Sequence, residues 1–341
     1  MEGIVSATEP FAIRVEDKSH ASAARAAAQG MARGLGFDET LCEHAAIVAT
    51  EAVTNIVKHA HRGTFVGRVL SYDGAIGIEM LAIDSGPGMA SFQASARDGA
   101  STKGTSGTGL GAIGRLSSEL DTYTHPGGGT VLRIALWNRE SVPRCEYEVG
   151  AIMVPKDGET VCGDAWAVQR HSRGATFLVA DGLGHGPDAS RAAASAVDVL
   201  HRHPEENAIR ILDLAHAKLR ATRGAAVAVI RHDMVAGEAT FAGIGNISAC
   251  VLNGSERRAM VSHNGILGHN VPRAQEFRYG WPAEALFVAH SDGLQSQWNL
   301  AAYPGFADCH PSIIAGLLYR DHSRGRDDVT VVVARGSRRM Q

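Results

Sequence analysis

Four segments in the second half of the sequence each place an aspartate at or beside the end of an apolar run. They are CGD (162–164), ADG (180–182), SDG (291–293) and RDDVTVVV (326–333). A sheet that brought these carboxylates together would hold mutually repelling charges unless cations lay among them. Two Mg²⁺ or Mn²⁺ ions about 4 Å apart, bridged by a carboxylate and water, would meet that need and generate a hydroxide nucleophile.

Each of these aspartates also has a simpler interpretation when it is taken singly. Asp-Gly is among the commonest turn dipeptides, and Asp327–Asp328 before an apolar run is also typical of a cap. His185, in FLVADGLGHGPDAS (177–190), fits a hydrogen-bonded turn residue better than a ligand, because hard cations prefer oxygen. The occurrence of all four segments in one half of the chain favours a metal centre. A glycine after the aspartate would also let a backbone carbonyl approach the ion.

The first half of the sequence carries a different set of polar residues, arranged around glycines. Glu51, Asn55 and His59 recur at intervals of four, which places them on one face of a predicted helix. Downstream, an aspartate ends an apolar run in DSGPGM (84–89). Glycines and hydroxyl residues then alternate in GTSGTGLGAIG (104–114) and lead into a second predicted helix.

This combination suits the binding of ATP. Backbone N–H groups of a glycine-rich loop and a helix N-terminus can bind phosphates without steric obstruction. An aspartate at a strand end can accept from the amine of adenine, an asparagine oxygen suits Mg²⁺, and a nearby glutamate can act as a general base. A glycine-rich loop alone is often a plain turn, and Glu51 with Asn55 could form a solvated helix face. The order and spacing of all three motifs favour a nucleotide site.

Hydrophobic periodicity predicts the elements that must position these residues. For the first half it predicts a strand at 10–16, helices at 19–34 and 37–61, strands at 65–72 and 76–84, a loop at 85–109, a helix at about 110–119 and a strand at 130–137. A polar, proline-containing segment then marks a boundary. We therefore predict a first domain over 1–138, a linker over 139–147 and a second domain over 148–336.

The second half is richer in predicted strands. They cover 147–154, 164–170, 175–181, 225–232, 237–243, 247–252, 285–290 and 328–334, with helices at 187–201, 205–221 and 309–320. This pattern predicts an antiparallel, β-rich domain with helices packed outside, so the whole chain is of the α+β class.

Composition limits the classes of function. The 341 residues carry a net charge of −3 with 45% hydrophobic residues, and no basic stripe indicates nucleic-acid binding. The five cysteines are odd in number and show no CxxC spacing, and no signal peptide is evident. No apolar run approaches the roughly 20 residues of a membrane span. We therefore expect a cytoplasmic protein that binds neither nucleic acid nor membrane.

The first-half motifs resemble those of a known family. EAVTNIVKHA (51–60), DSGPGM and GTSGTGLG (104–111) are similar to the N, G1 and G2 boxes of the GHKL ATPase fold. Within that fold they resemble the switch and anti-sigma serine/threonine kinases of the RsbT and RsbW type, since no phosphoacceptor-histidine helix precedes them. The resemblance covers about residues 10–137 and implies an N-terminal GHKL (Bergerat) α/β sandwich.

The same resemblance implies roles for individual residues. Asn55 would be the Mg²⁺ ligand, Glu51 the general base and Asp84 the residue that reads adenine. The remaining nucleotide contacts implied are Gly86, Gly88, Gly109 and Gly111 through the backbone, with Lys103 and Thr108 at the phosphates.

The second-half motifs resemble the SpoIIE- and RsbX-like branch of the metal-dependent phosphatases of the PP2C class. The similar segments are DGLGHGPDAS (181–190), TRGAAVAVI (222–230), FAGIGNIS (241–248), SHNGILGH (262–269) and HSDGL (290–294). The resemblance spans roughly 145–335 and implies an α-β-β-α layered sandwich.

It also implies a ligand set for two Mg²⁺ or Mn²⁺ ions. The set is Asp164, Asp181, the Gly182 carbonyl, Asp292 and Asp327, with Asp328 as the alternative to Asp327. Asp181 would bridge the ions and so belong to the catalytic centre. No residue matches the phosphate-binding arginine of eukaryotic members.

Together the resemblances imply a bifunctional regulator of a bacterial partner-switching pathway that controls a stress response or a sigma factor. It would phosphorylate a STAS-domain antagonist or stressosome-type protein with ATP and Mg²⁺, and remove phosphate from serine or threonine at the two-metal centre. A downstream phosphatase or sigma factor as a further partner, and a homodimer, are left open. In the alternative interpretation, the ATP-binding domain only sequesters a partner or acts as a sensor, without kinase activity.

Overall fold

The computed structural model describes residues 3–4, 10–90, 109–139, 142–143, 145–269, 271 and 273–336 of the chain. The chain divides into two compact units. The first unit comprises residues 5–143 and 305–320, and the second comprises residues 1–4, 144–304 and 321–341. The first unit thus includes, besides the region predicted from the sequence, a short segment from late in the chain.

Two long helices pack against each other in the first unit. They are α1 (His20–Gly34) and α2 (Glu39–Asn55), and the alanines on their facing sides are buried. The Asp38 carboxylate accepts a hydrogen bond from the Leu41 N–H at 2.8 Å, which caps the N-terminus of α2. Small side chains at the contact let the two backbones approach closely.

The second of these helices departs from the predicted helix over 37–61. It is α-helical only to Asn55, and the next turn, Ile56–Ala60, is π-helical. Single π-helical turns are rare and occur often at functional sites. This π-helical turn carries His59, whose charge acts on Asp84.

A five-stranded antiparallel sheet forms the other layer of the first unit. In spatial order its strands are β2 (Phe11–Val15), β3 (Gly63–Tyr72), β4 (Ala75–Asp84), β6 (Thr130–Trp137) and β5 (Glu119–Thr124). One face packs on α1, α2 and the short helix α3 (Gly109–Leu116) through residues such as Phe65, Ile78 and Ile134. Strand β5 was not predicted, because its sequence ELDTYT is polar at most positions.

Two antiparallel sheets form the second unit. The six-stranded sheet contains, in spatial order, β1 (Gly3–Ile4), β8 (Asp164–His171), β9 (Gly174–Gly182), β10 (Ala225–Asp233), β11 (Glu238–Ile244) and β14 (Phe277–Gly280). The five-stranded sheet contains β13 (Glu256–Ala259), β12 (Ser248–Asn253), β15 (Leu286–His290), β16 (Val329–Gly336) and β7 (Tyr147–Val154). Buried aromatic residues, including Phe177, Trp281 and Phe287, fill the core shared by the two sheets.

Helices α4 (Pro187–Arg202) and α5 (Ala208–Leu219) cover the outer face of the six-stranded sheet. The side chains of β9 alternate accordingly, because Leu178 packs under these helices whereas Phe177 and Val179 point into the sandwich.

Helix α6 (Pro311–His322) lies in sequence between β15 and β16, after two short 3₁₀ turns at Leu300–Ala302 and Phe306–Asp308. Although α6 is flanked by strands of the second unit, its residues 311–320 belong to the first. In the part of the chain that the structure describes, no helix is both long and apolar enough to cross a membrane.

Candidate metal centre and nucleotide site

Strands β8 and β9 bring two of the predicted metal ligands together. Asp164 is the first residue of β8, Asp181 is the last but one of β9, and the antiparallel register pairs them directly. Side chains of directly opposed residues lie on the same face of a sheet, with Cβ atoms about 5 Å apart. Since Val179 of β9 points into the sandwich, Asp181 and Asp164 also lie on that inner face.

The five-stranded sheet contributes a serine that holds Asp164 in place. The fully buried Ser291 hydroxyl donates to Asp164 Oδ2 at 2.6 Å and accepts from the Thr330 N–H at 2.9 Å. The next residue, Asp292, accepts a hydrogen bond from the Asn246 side-chain amide at 2.7 Å. These contacts place Asp164 and Asp292 at the end of the sandwich where β8 begins.

The chain places two consecutive aspartates before β16. Asp328 is buried, and its Oδ1 accepts from the Lys156 N–H at 2.9 Å. Asp327 is exposed, and its Oδ1 accepts from the Asp328 N–H at 3.0 Å. Both charges act on Asp181, so the assignment of Asp327 as ligand and Asp328 as its alternative stays a prediction.

Burial and mutual repulsion raise the pKa values of these carboxyl groups. Burial raises the pKa of Asp164 well above its usual value, and the charges of Asp181 and Asp328 raise it further. For Asp181, burial and then the nearby aspartates raise the pKa to about 7. Burial and the charge of Asp327 also raise the pKa of Asp292. A divalent cation among these groups would favour their charged forms and remove the conflict.

Two buried carboxylate oxygens provide a test of whether a metal fits. Asp164 Oδ1 and Asp328 Oδ2 have no hydrogen-bond partner among the described residues. Buried acceptors are seldom left in this state, and carboxylate oxygens are the ligands that hard divalent cations prefer. The donor set therefore fits Mg²⁺ or Mn²⁺. Within the described ranges, no three acidic, thiol or imidazole groups converge closely enough to enclose an ion.

The loop after Asp181 depends on glycine. The Gly182 N–H donates to the Gly163 carbonyl at 3.1 Å, and a Cβ on Gly182 would lie 2.1 Å from the Ala189 carbonyl oxygen in α4. Only glycine lets the helix approach the strand end this closely. Further along, the His185 ring nitrogen lies 2.5 Å from Glu159, which agrees with the prediction of a hydrogen-bonded turn residue.

In the first unit, α2 and the start of α3 lie side by side. Gly109 is the first residue of α3, and a Cβ on it would lie 2.6 Å from Glu51 Oε2 and 3.7 Å from Asn55 Oδ1. The buried Asn55 Nδ2 has no hydrogen-bond partner among the described residues. The structure thus brings Glu51, Asn55 and Gly109 together, and the unpartnered Asn55 N–H group is free to donate to an acceptor such as a phosphate oxygen. The Asn55 Oδ1 atom is of the type that would suit a Mg²⁺ ion carried by ATP.

Asp84, at the end of β4, begins the second part of this pocket. Its Oδ1 accepts from the Gly86 N–H at 2.8 Å, and burial raises the pKa of its carboxyl. Gly88 has a φ of +63°, and a Cβ there would lie 2.0 Å from the His125 carbonyl oxygen. The turn from Asp84 to Gly88 therefore requires glycine for its conformation and for its close approach to the 125–129 loop.

The structure describes only some of the remaining predicted nucleotide contacts. Gly111 is buried in the first turns of α3. Lys103 and Thr108 lie outside the described residues. Their roles at the phosphates stay predictions.

Comparison with known proteins finds a separate family match for each half of the chain. Residues 15–136 match the histidine kinase-like ATPase domain family, and residues 171–336 match the stage II sporulation protein E (SpoIIE) family. The chain therefore joins a histidine kinase-like ATPase domain to a SpoIIE domain. The SpoIIE match includes α6 and begins after Asp164, so that aspartate is placed at the site by the register of β8 with β9.

Relatives of known type resemble one half each. The phosphoserine phosphatase RsbX of Bacillus subtilis (strain 168) is 23% identical over 140 residues, which cover 41% of this chain and 70% of RsbX. The serine/threonine-protein kinase RsbT of the same organism is 28% identical over 127 residues, which cover 37% of this chain and 96% of RsbT. The SpoIIE half is thus a serine/threonine phosphatase domain, and the ATPase half is related to a serine/threonine kinase.

Solved structures confirm the predicted fold. A protein from work on the bacterial stressosome is 34% identical to this chain, with a TM-score of 0.53. The match covers 55% of this chain and 99% of the other protein's chain. RsbX in complex with magnesium has the same fold at 20% identity and a TM-score of 0.52, over 58% of this chain and 99% of its own.

Sequence reasoning missed several residues that support the SpoIIE site. Ser291 and Asn246 orient Asp164 and Asp292, and Glu159 pairs with His185. Two of them lie in motifs that the sequence did mark, because Ser291 precedes the aspartate of SDG and Asn246 lies in FAGIGNIS. Glu159 lies in a polar loop with no periodic signal.

Removal of divalent cations should make stability fall as the pH rises. An aspartate in an unfolded chain titrates near pH 3.9, whereas the pKa of Asp181 in the fold is about 7. Between these two pKa values the folded state therefore binds more protons than the unfolded state. The free energy of unfolding decreases as the pH rises through this range. In EDTA we expect a lower thermal midpoint near pH 8 than near pH 5, and Mg²⁺ or Mn²⁺ should raise the midpoint at the higher pH.

The matched control is Asp181→Asn, which removes one of the titrating groups and its repulsion of Asp164, and should therefore reduce this pH dependence in EDTA. A wild-type midpoint that does not change across the window in EDTA would contradict the electrostatic account.

Proposed function

We propose that the chain is a bifunctional regulator whose ATPase domain phosphorylates a partner protein on serine or threonine and whose SpoIIE domain removes phosphate from such residues. The observation that carries the proposal is that each half has its own set of reactive polar groups. Glu51, Asn55 and Gly109 adjoin in one domain, and Asp164 faces Asp181 in the other. The similarity of the halves to RsbT and RsbX supports opposed activities in one chain.

In the proposed kinase reaction, the chain mainly positions groups around ATP. Glu51 accepts the proton of the partner's serine or threonine hydroxyl. The hydroxyl oxygen bonds to the γ-phosphorus, and the bond from that phosphorus to the leaving ADP oxygen breaks. Asn55 would hold Mg²⁺, which would neutralise phosphate charge. Asp84 accepts from the adenine amine, and backbone N–H groups at Gly109 and Gly111 face the phosphates.

In the proposed phosphatase reaction, water replaces the serine or threonine oxygen on phosphorus, and the hydroxyl and inorganic phosphate are released. The ligands would be the carboxylates of Asp164, Asp181, Asp292 and Asp327 with the Gly182 carbonyl. The bound Mg²⁺ or Mn²⁺ ions would supply Lewis acidity and an activated water. Ser291 fixes the orientation of Asp164 by its hydrogen bond, which keeps one carboxylate oxygen available for an ion.

The partner we propose is a small STAS-domain protein of the stressosome type. The support is the 34% identity to a protein from the bacterial stressosome and the similarity to RsbT and RsbX. Such a partner would be phosphorylated and dephosphorylated in the cytoplasm. We propose no role for nucleic acid.

Substitutions in the two domains should separate the two reactions. Asp181→Asn should abolish hydrolysis of a chromogenic phosphate ester in Mn²⁺, because one of the carboxylates that would hold the ions is lost. Asn55→Ala should abolish phosphorylation of a partner and leave ester hydrolysis unchanged. Each variant serves as the fold control for the other, with thermal midpoints measured on both. Full hydrolysis by Asp181→Asn would show that the metal site is misassigned.

The kinase half is tested by transfer of labelled phosphate. The protein is incubated with γ-labelled ATP, Mg²⁺ and purified STAS-domain proteins, with Asp181→Asn used to prevent removal of the label. We expect label on a serine or threonine of one partner, and none when Glu51→Gln is added to the same chain. Binding of ATP without label on any partner would favour the alternative, a sequestering or sensory ATP-binding module.

A further inference from the structure

The sheet of the ATPase domain has a second face, opposite to α1, α2 and α3, that is buried and charged. Along β4, Ile78 points toward the helices, whereas Glu79 points to the opposite face and is only 1% exposed. The Glu79 carboxylate accepts from Arg68 Nε and Arg133 Nε, each at 2.6 Å. Burial alone would raise the pKa of Glu79, but the two guanidinium groups outweigh it and lower the pKa to about 2. This face therefore holds a buried ion-pair network that needs a cover.

Helix α6 supplies the cover. Its residues 311–318 are all buried, and the Ser312 hydroxyl lies 2.9 Å from both carboxylate oxygens of Glu79. The preceding His310 N–H donates to Asp121 at 2.9 Å. A buried carboxylate with its hydrogen-bonding capacity filled is stable, whereas loss of a partner is costly. Glu79 thus links two sheet arginines to the first turn of α6.

The middle of α6 lies very close to the sheet. A Cβ on Gly316 would lie 2.6 Å from Val131 Cγ1, so glycine is required for this approach. One turn further, the Tyr319 hydroxyl lies 3.4 Å from Thr64 Oγ1. The contacts of the helix with the sheet therefore extend from Ser312 to Tyr319, about two turns, and are not limited to its N-terminus.

The C-terminal end of α6 reaches the predicted adenine-reading turn. Arg320 Nη1 lies 3.5 Å from the Asp84 carbonyl oxygen, and it would lie 3.0 Å from a Cβ on Gly129. Gly129 in turn donates its N–H to the Gly86 carbonyl at 3.0 Å. Arg320 thus lies beside the Asp84 carbonyl and beside Gly129, which is itself hydrogen-bonded to the Asp84–Gly88 turn, and the charge of Arg320 favours the ionised Asp84 carboxylate.

We propose that α6, although it lies within the SpoIIE match, is a positioning element of the ATP site. Ser312 and Gly316 dock the helix on the sheet, and Arg320 holds the Asp84 turn in the conformation that reads adenine. The inference rests on the proposed binding of ATP at Asp84. It assigns to Arg320 a part in nucleotide specificity, since a displaced Asp84 would no longer distinguish an exocyclic amine from a carbonyl.

The first test measures affinity and base selectivity in the full chain with Arg320→Gln and Arg320→Lys. For Arg320→Gln we expect ATP affinity to fall about fivefold or more and the preference for ATP over GTP to decrease. The lysine variant should recover part of both. The thermal midpoint without nucleotide should change little. Substitution of a residue with a merely structural role would instead lower the midpoint and leave the selectivity for ATP over GTP intact.

The second test displaces the helix from the sheet. Gly316→Leu forces a side chain against Val131, and Gly30→Leu is the matched control, since Gly30 is an exposed position in α1 with nothing within 4 Å of its Cβ. Gly316→Leu should weaken ATP binding, and the control should not. In the wild type, saturating ATP should slow hydrogen exchange of amides in 313–320, because linkage is reciprocal.

The outcomes separate this inference from the proposed function. If wild-type protein binds no ATP, the proposed nucleotide site itself is wrong. If it binds ATP, but Arg320→Gln and Gly316→Leu bind with unchanged affinity and selectivity, and ATP leaves exchange in 313–320 unchanged, the positioning role of α6 is refuted.

Discussion

Asp164 and Asp181 face each other across β8 and β9, and burial leaves their repulsion poorly screened by water. Much of the SpoIIE domain contributes to keeping this unfavourable arrangement. The antiparallel register fixes the pair, Ser291 holds one carboxylate by a hydrogen bond from the other sheet, and Gly182 lets α4 close against the strand end. A fold that maintains such a cluster is organised to bind cations, since hydrophobic packing alone would favour its removal.

The buried Glu79 of the ATPase domain shows the opposite solution to the same problem. Its carboxylate is as deeply buried as that of Asp164, yet Arg68 and Arg133 lower its pKa to about 2, whereas Asp181 is raised to about 7. One site is neutralised by the chain's own residues and the other is not. The contrast separates a structural ion pair from a site that needs an external charge.

The sequence was sufficient to predict most strands, the two-part architecture and the aspartate motifs, because apolar alternation and Asp-Gly turns are local signals. It did not predict the π-helical turn after Asn55, since a helical pattern does not show where one extra residue is inserted. Ser291 at the candidate metal centre was also not assigned, because its role depends on which strands pair, and Asp328 was named only as the alternative to Asp327. The position of α6 was missed for a related reason: its sequence shows a helix but not the surface it covers.

Helix α6 also changes how the domain boundary is understood. A linear division ends the ATPase domain before residue 148, yet the face of its sheet that carries Glu79 is completed by residues 305–320. In sequence, α6 lies between Asp292 and Asp327, two of the predicted metal ligands. A boundary drawn along the sequence therefore assigns α6 to one unit, whereas its contacts place it in the other. Sequence order fails here because the contacts of Ser312 with Glu79 and of Gly316 with Val131 depend on where the chain folds back, and no local pattern reports that.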